Sequence, residues 1–391
     1  MPVKCSSAML LLLASIALCS CASSTPPKGQ ALQFWHTFNQ QESVALQAWL
    51  GKSRKRRVVT TILPFAVANI RIRSALAEGA CPDLLRIDST RIPGLVDAEL
   101  IREVPTPIWH QREWLQEAQD LVRYQGAAYG IPQSLDGLAL IRKRNRDILW
   151  PIPSLEELEK LSVNEGPRIG MLIDGYWALA FLRAEGVTLA TSGGPPDIDS
   201  PDAVRALKRF AALFHSGVAM DVLEERSPSH AMIRAFRNDD IDIAFTGPWD
   251  LPALADGNPE TLQVSAFPGA YAPRGGQVLV VPKCTQNTEE AWDLALALSS
   301  PILQADWAKT LGSIPVTKDG LAGAGTLANA FYQALVGTMP MPRHVHAPEL
   351  FDDLSPAVLA VVGEDATAEE ALAGVNRAWR RLYHLPPEAP E

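Results

Sequence analysis

Short apolar runs alternate with amphipathic segments along the first part of the chain. The apolar runs at 32–35, 58–63 and 84–87 predict strands, and the segments at 43–50 and 67–78 predict helices between them. A strand–helix–strand–helix–strand order favours a mainly parallel sheet with helices on both faces. The predicted fold class is therefore α/β.

The second half of the chain shows the same kinds of pattern. Apolar runs at 138–141 and 168–173 predict strands, as does the run 241–245, which stops at Gly247-Pro248 because proline cannot donate a ladder hydrogen bond. The glycine-rich stretch 320–325 follows no strand and is predicted to be a loop. Predicted helix starts are marked by the capping residues Ser154, Ser200 and Thr367.

Composition limits the classes of protein that remain. The 391 residues are 47% hydrophobic and 20% charged, which is enough for a large core or two ordinary domains. A formal net charge of −9 argues against a general nucleic-acid binder, whose affinity would come from neutralising phosphates. The one basic run, 52–57, lacks interleaved aromatic residues and is interpreted as a solvated surface turn.

The N-terminus has the pattern of a targeting segment. Lys4 supplies a minimal positive region, and the apolar stretch 9–18 is too short to span a bilayer as a lone anchor. The sequence Leu18-Cys-Ser-Cys21 resembles a lipoprotein signal-peptidase box, which predicts a signal peptide at 1–20 and a tether at 21–31. Acyl chains such as palmitate on Cys21 would then hold the protein at an extracytoplasmic membrane face.

Signals for catalysis are weak. The chain has no G-x-S-x-G elbow, no H-E-x-x-H and no Walker loop, and His344 and His346 are interpreted as surface residues. Asp239, Asp240 and Asp242 would suit the carboxylate pair of a glycoside hydrolase, but they sit in the turn entering a strand, where aspartate is favoured by ordinary turn chemistry. No enzyme activity, metal or cofactor is therefore predicted.

Three stretches resemble the family 1 extracytoplasmic solute-binding proteins, which deliver sugars to ABC importers. They are the hairpin Tyr124–Pro132, the helix and strand leading to Gly247-Pro-Trp249, and the turn Pro315–Asp319. The similarity covers about residues 32–383. It is degraded at 142–147, where Arg-Lys-Arg-Asn-Arg-Asp replaces the family's Tyr-Asn-Lys-Asp.

The resemblance implies a two-lobed periplasmic-binding-protein fold, each lobe a mainly parallel sheet flanked by helices. The implied N-lobe comprises 32–135 and 279–338, and the implied C-lobe comprises 136–278 and 339–391. The chain would cross between them near 133–138, 276–280 and 338–342. Such a protein is expected to be a monomer that closes around its ligand and delivers it to the transmembrane subunits of a permease.

The expected ligand is an oligosaccharide or related carbohydrate, whose apolar C–H faces and hydroxyl rim call for aromatic surfaces and polar side chains. Two alternatives stay open: a surface-anchored glycoside hydrolase, and a lipoprotein that binds a non-sugar solute such as a phosphorylated polyol. Candidate platforms, each of which could instead pack in a core, are Trp35, Tyr176, Trp177, Trp249 and Tyr271. Candidate polar or backbone contacts are Gln41, Glu42, Asp88, Asp136, Asp250, Gly275, Gly276 and Arg343.

Two cysteines remain in the folded part of the chain. In the fold that the resemblance implies, the strand at 278–281 returns antiparallel beside the strand at 84–87. Cys81 and Cys284 would then face each other at one edge of the N-lobe, either as a disulfide or as two buried thiols. A Cα separation above about 7 Å would exclude the bond.

Overall fold

The computed structural model describes residues 31–52, 57–161, 168–187, 189 and 194–385. The predicted signal peptide, Cys21, the tether up to residue 30 and most of the basic run lie outside these residues. No helix in the described ranges has the length and apolar character needed to cross a membrane.

Twelve strands are present in the described part of the chain. They are β1 Leu32–His36, β2 Val58–Ile62, β3 Leu84–Asp88, β4 Arg123–Tyr124, β5 Ala127–Ala128, β6 Ile131–Gly137, β7 Ala139–Lys143, β8 Ile169–Gly170, β9 Ile243–Thr246, β10 Leu262–Ser265, β11 Pro273–Val280 and β12 Met339–Pro340.

The α-helices of the same ranges are α1 Gln40–Lys52, α2 Ala68–Ala77, α3 Ile92–Asp97, α4 Thr106–Trp109, α5 Gln116–Val122, α6 Leu155–Glu159, α7 Gly175–Ala184, α8 Pro201–His215, α9 Pro228–Arg237, α10 Leu251–Ala255, α11 Thr288–Leu298, α12 Pro301–Leu311, α13 Lys318–Gly323, α14 Thr326–Leu335, α15 Ala347–Val362 and α16 Ala368–Leu382. Short 3-10 turns lie at Phe65–Val67, Ser89–Arg91, Pro248–Asp250, Pro259–Thr261 and Pro268–Ala270.

The first lobe is built on a six-stranded sheet. Its order is β12-β11-β3-β1-β2, and β6 pairs with the other edge of β11. β1 lies parallel to both β2 and β3, as the strand–helix–strand pattern predicts. β11 returns antiparallel to β3, with Val278 opposite Ile87. The predicted α/β class is confirmed.

The second lobe is built on a four-stranded sheet in the order β10-β7-β9-β8. The chain reaches it directly, because β6 ends at Gly137 and β7 begins at Ala139. It returns between β10 and β11, and it leaves the first sheet again after β12 to enter α15. The two-lobed fold is thus present, while the residue limits predicted for each lobe remain a prediction.

Two predicted elements differ from the structure. The strand predicted at 168–173 is reduced to Ile169–Gly170, because the following residues lead into the capping residue Asp174 of α7. The loop predicted at 320–325 is instead mostly α13. Thr317 caps that helix by accepting a hydrogen bond from the Gly320 N–H, and Leu321 is buried beneath it. Capping and burial outweigh the low helix propensity of glycine here.

The remaining cysteine pair forms a disulfide. The Cα atoms of Cys81 and Cys284 lie 5.9 Å apart, and the two sulfurs are bonded. The register of β3 against β11 places the start of one strand beside the end of the other, with Val280 opposite Leu85. The sequence left open either a disulfide or two buried thiols, and the structure contains the disulfide.

Candidate functional site

Polar residues lie where β1 and β3 end at one edge of the first sheet. β1 ends at His36 and is followed by Thr37, and β3 ends at Asp88. The Asp88 carboxylate accepts a hydrogen bond from the Thr90 N–H (2.9 Å) and another from the Thr90 hydroxyl. In open α/β sheets, ligands bind beyond the carboxyl ends of the strands, so this edge is the candidate site.

Gln277 of β11 connects these residues. The strand register places Gln277 opposite Asp88, and it places Gly275 opposite Asp136 of β6. The Gln277 Nε2 lies 3.4 Å from Asp88 Oδ2 and 3.5 Å from Asp136 Oδ2, and the Thr37 hydroxyl donates to Gln277 Oε1 (3.4 Å). The structure therefore brings the predicted residues Asp88 and Asp136 together and adds Gln277 and Thr37.

A buried arginine supports this polar cluster from inside the sheet. Arg86 is 4% exposed; it donates to Gln133 Oε1 (2.8 Å) and to the Thr37 hydroxyl (3.1 Å). Its Nη2 lies 3.6 Å from a carboxylate oxygen of Glu42, and its guanidinium lies 4.0 Å from the centre of the Phe38 ring. These contacts occupy the charged guanidinium of Arg86, and they hold Glu42 and Thr37 in position.

The Asp136 carboxyl group has an unusually high pKa. Burial and, to a smaller extent, the Asp88 carboxylate raise its pKa to about 7, while the Gln277 amide and Arg86 oppose the shift. Near neutral pH, Asp136 is therefore partly protonated. In that form it can donate one hydrogen bond and accept another, which matches the two-way hydrogen bonding of a hydroxyl group.

We expect the stability of the unliganded protein to contain a component from Asp136 that falls as the pH rises from about 4 to about 7. An acid whose folded pKa exceeds its unfolded value binds more protons when folded in this window, so each pH unit removes up to about 1.4 kcal/mol. Chemical denaturation at several pH values, compared between the wild type and Asp136→Asn, measures this component.

The comparison with Asp136→Asn is needed because another buried group acts in the opposite sense. Burial lowers the pKa of His36 from 6.5 to about 4, so its contribution to stability rises with pH over that interval. The difference between the two proteins removes the His36 component. Parallel stability profiles for the wild type and the variant would contradict the raised pKa of Asp136.

The second lobe contributes the beginning of α7. Asp174 caps the helix by accepting from the Tyr176 N–H (2.8 Å), and Ser355 of α15 donates to the same carboxylate (3.0 Å). Burial raises the pKa of the Tyr176 phenol, and the next largest causes are the charges of Asp136 and Asp88. The Tyr176 phenol is thus coupled electrostatically to the two carboxylates of the first lobe.

Trp177, a predicted platform, is buried. It is 6% exposed, and its indole N–H donates to the carbonyl of Phe245 (2.7 Å). Its ring lies between two other aromatic rings, 5.9 Å from that of Tyr176 and 6.5 Å from that of Trp249. Trp177 therefore supports the neighbouring rings from the core.

Trp249 and Tyr271 each lie against a glycine two positions earlier. Trp249 remains 40% exposed, and a β-carbon added at Gly247 would collide with its ring. A β-carbon at Gly269 would likewise collide with the Tyr271 ring. The backbone thus fixes the orientation of both rings and leaves part of the Trp249 surface open, as a platform for an apolar ligand face requires.

Asp250 and Arg343, both predicted ligand contacts, bind other parts of the protein in the structure. The Asp250 side chain is buried, with hydrogen bonds from Thr246 (2.7 Å) and from Ser229 and Trp249; burial raises its pKa. Asp250 therefore orients the turn that carries Trp249. The Arg343 guanidinium donates to the carbonyl of Arg123, just after α5, and burial lowers its pKa to about 10. It engages that segment rather than the Gln277 cluster.

The remaining predicted residues have structural surroundings of their own. Trp35 is half-buried against the first core, and Gln41 is exposed at the start of α1. Glu42 accepts from the Asn39 N–H (2.8 Å) and thereby caps α1. Gly275 and Gly276 lie within β11, where a β-carbon on Gly276 would collide with the carbonyl of residue 134 and one on Gly275 would lie 3.0 Å from an Asp136 oxygen.

The degraded stretch 142–147 has a structural explanation. Lys143 Nζ lies 2.6 Å from Asp239, and Arg146 lies within 2.8 Å of Asp239 and 3.1 Å of Asp242. Arg168 makes a further ion pair with Asp242 at 2.6 Å. Two of the three aspartates that would have suited a hydrolase, Asp239 and Asp242, are therefore neutralised by these cations.

A cavity of about 360 Å³ lies beside the second-lobe part of the site. It is bounded by Asp174 at the start of α7, by Ser229 and His230 at the start of α9, and by Leu359 of α15. Ser229 also hydrogen-bonds to Asp250, next to Trp249. The cavity thus adjoins both the Tyr176 helix start and the Trp249 turn.

Four residues that shape the site were not predicted: Thr37, Arg86, Gln277 and Ser355. Only Arg86 has a signal in the sequence, because a lone charge within a mostly apolar strand indicates a buried partner. Thr37 and Gln277 are ordinary strand-end residues. Ser355 lies about 180 positions from Asp174, and no local pattern connects them.

With this geometry established, the comparisons identify the class of protein. A family model described as bacterial extracellular solute-binding protein matches residues 59–333. The chain therefore belongs to the bacterial extracellular solute-binding proteins, a family whose members act outside the cytoplasm. A search among curated proteins found no match by sequence.

Solved structures with the same fold include sugar-binding proteins. The GacH receptor of Streptomyces glaucescens, solved unliganded and with acarbose, aligns with a TM-score of 0.80 at 22% identity over 90% of this chain and 98% of that one. Maltose-bound MalE3 of Thermotoga maritima gives 0.76 at 19% identity, over 90% and 99%. The maltotriose-binding protein of Thermus thermophilus gives 0.72 at 18% identity, over 89% and 99%. These similarities confirm the two-lobed fold.

Proposed function

We propose that the protein is the substrate-binding lipoprotein of an ABC importer. It captures an oligosaccharide between its two lobes by hinge closure and delivers it to the membrane permease. The observation that carries the proposal is the presence of binding groups on both lobes: the hydrogen-bonded cluster of Asp88, Asp136 and Gln277 on the first, and the partly exposed Trp249 ring on the second. A ligand held there would contact both lobes, which is the condition for a ligand to favour the closed state.

The chemistry of the site supports a carbohydrate. Asp88, Asp136 and Gln277 offer hydrogen-bonding groups for hydroxyls, and the open face of Trp249 suits the apolar side of a sugar ring. The ligands named for the structural neighbours, acarbose, maltose and maltotriose, are of this class.

The same residues disfavour an anionic cargo such as a phosphorylated polyol. An anion is usually held by an arginine or by an uncapped helix N-terminus. Arg86 is engaged by Glu42 and Thr37, and the start of α7 is capped by Asp174. The cluster instead presents the Asp88 carboxylate, which would repel a phosphate.

A calorimetric and thermal-shift screen of the purified protein against mono- and oligosaccharides tests the function. A ligand at a hundredfold excess over its dissociation constant stabilises by about 2.7 kcal/mol. We expect at least one neutral oligosaccharide to stabilise the protein, phosphorylated sugars to have no effect, and the bound sugar to be recovered unhydrolysed. Release of shorter sugars, abolished in Asp136→Asn, would instead support a glycoside hydrolase.

Membrane attachment is tested separately. If Cys21 carries the acyl chains, Cys21→Ser is expected to move the protein from the membrane to the soluble fraction, because no lipid can then be attached. Cys19→Ser is the matched control and should remain in the membrane fraction. Fractionation followed by immunoblotting measures both, and retention of the Cys21 variant in the membrane would refute the anchor.

A further inference from the structure

One buried arginine of the second lobe binds two chain segments that pass between the lobes. Arg183, in the last turn of α7, is 8% exposed. Its Nη1 donates to the carbonyls of Ala272 (3.3 Å) and Met339 (3.1 Å), and its Nη2 donates to that of Pro340 (3.0 Å). Ala272 immediately precedes β11, and the other two residues form β12.

These segments also bind each other and the third passage. In register, Pro273 pairs with Met339 on one side of β11, and Arg274 pairs with Gly137 of β6 on the other. The Leu138 N–H, at the start of the second lobe, donates to the Pro273 carbonyl (3.3 Å). All three passages therefore lie side by side, next to the carbonyls that Arg183 binds.

The surroundings of Arg183 are unusual for a buried cation. No carboxylate among the described residues lies within 4 Å of its guanidinium, and burial lowers its pKa to about 10. Burying a charge without a counter-ion is costly, and only its charge-assisted hydrogen bonds offset that cost. Unlike a lysine, a guanidinium presents a rigid fork of donors, so it fixes its three acceptors relative to one another.

The glycines of the crossing strands confine where the chain can bend. A β-carbon at Gly137 would lie 2.5 Å from the Pro273 carbonyl oxygen, and one at Gly276 would collide with that of Ser134. The strands are therefore in close contact on the first-lobe side of the carbonyls that Arg183 holds. With residues 272 and 339–340 fixed to α7, bending is restricted to this glycine-containing stretch.

We propose that Arg183 is a positioning residue that couples α7 to the hinge and thereby sets the equilibrium between open and closed lobes. The same helix begins with Tyr176, seven residues or about two turns earlier. Resting on the proposed function, a ligand that draws Tyr176 toward Asp136 would displace α7 and, through Arg183, the crossing segments. The two-state element is thus a rigid helix attached to the ligand site at one end and to the hinge at the other.

Hydrogen exchange of the unliganded protein, followed by mass spectrometry, tests the role of Arg183. In Arg183→Met we expect at least tenfold faster exchange at the amides of Leu138 and Met341, which donate across the crossing segments. Arg183→Lys should lie between the variant and the wild type. The amide protons of β7 and β9, within the second-lobe sheet, should exchange at unchanged rates.

Arg142→Met is the matched control. Arg142 also donates to two backbone carbonyls, those of Arg146 (3.2 Å) and Ile148 (2.9 Å), and to Gln263 (2.9 Å), but all of these lie in the second lobe. Its loss should leave exchange at the crossing segments unchanged. Equal acceleration in both variants, or acceleration throughout Arg183→Met, would show a merely structural arginine and overturn the proposal.

Small-angle scattering gives an independent readout. Arg183→Met should change the radius of gyration of the unliganded protein, whereas Arg142→Met should not. An unchanged radius together with unchanged exchange would also overturn the proposal. Both measurements are made without ligand, so they decide the role of Arg183 even if maltotriose and every other sugar fail to bind, a result that would refute only the proposed function.

Discussion

Replacement of Trp249 by alanine is expected to weaken oligosaccharide binding by about 1.5–3 kcal/mol, or roughly 10- to 150-fold in dissociation constant. The ring is 40% exposed in the unliganded protein, and it offers a flat apolar face that a sugar ring would cover on closure. Calorimetry with the tightest ligand from the screen measures the change. Ile302→Ala is the control, because Ile302 is 87% exposed on α12, outside the candidate site.

Gly247→Ala tests the same platform without removing it. The added β-carbon would collide with the Trp249 ring and force it away from its position. We therefore expect a loss of affinity comparable to that of Trp249→Ala. Gly374→Ala, where the added carbon meets only a distant arginine side chain, is the matched control. Full affinity in both Trp249→Ala and Gly247→Ala would place the tryptophan outside the ligand contact.

The sheet edge that carries the site can be predicted from the sequence, because a polar residue marks where an apolar strand ends. Asp88 directly follows the predicted strand 84–87, and parallel strands bring such residues to one edge of a sheet. Asp136 lies in the crossing predicted at 133–138, which in the structure is the end of β6. Their contact through Gln277 depends on the register of β11 against β3 and β6. Register is set by pairing across about 190 residues, and no local pattern reveals it.

The separate roles of adjacent residues are harder to predict from the sequence. Tyr176 and Trp177 form one aromatic pair in the sequence, yet one residue of helix turns the side chain by about 100°, so Trp177 is buried in the core while Tyr176 is only half-buried. Trp249 and Asp250 divide in the same way, one exposed and the other buried with three hydrogen-bonding neighbours. Which of two adjacent residues is accessible to a ligand and which packs in the core therefore depends on their rotation about the backbone. A sequence motif does not show that rotation.

Arg343 illustrates the effect of weak local structure. It follows β12, which is only two residues long and rich in proline, so neither periodicity nor a cap fixes its position. Its hydrogen bond to the Arg123 carbonyl and the nearby charge of Asp120 determine where its side chain lies. The predicted site residues that hold their place best, by contrast, end long strands or begin capped helices.

The disulfide is expected to make the largest single contribution to stability. Cys81 and Cys284 are separated by 203 residues, and in the chain-entropy model a loop of this length stabilises the fold by about 5 kcal/mol. The bond restricts the unfolded chain, so contacts between the same segments in the folded state, such as Asn287 with Asp83 (3.0 Å), do not replace it. At about 2 °C per kcal/mol, reduction should lower the melting temperature by about 10 °C.

Differential scanning calorimetry with and without a phosphine reductant measures this effect. The double variant Cys81→Ser/Cys284→Ser should melt with the reduced wild type and should not respond to the reductant. Its affinity for the oligosaccharide should be unchanged, because Cys81 lies before the start of β3, whereas Asp88 lies at the end of that strand. A reductant-independent melting temperature in the wild type would show that the bond does not constrain the unfolded chain. A loss of affinity in the double variant would show instead that the bond also holds the first-lobe half of the site in place.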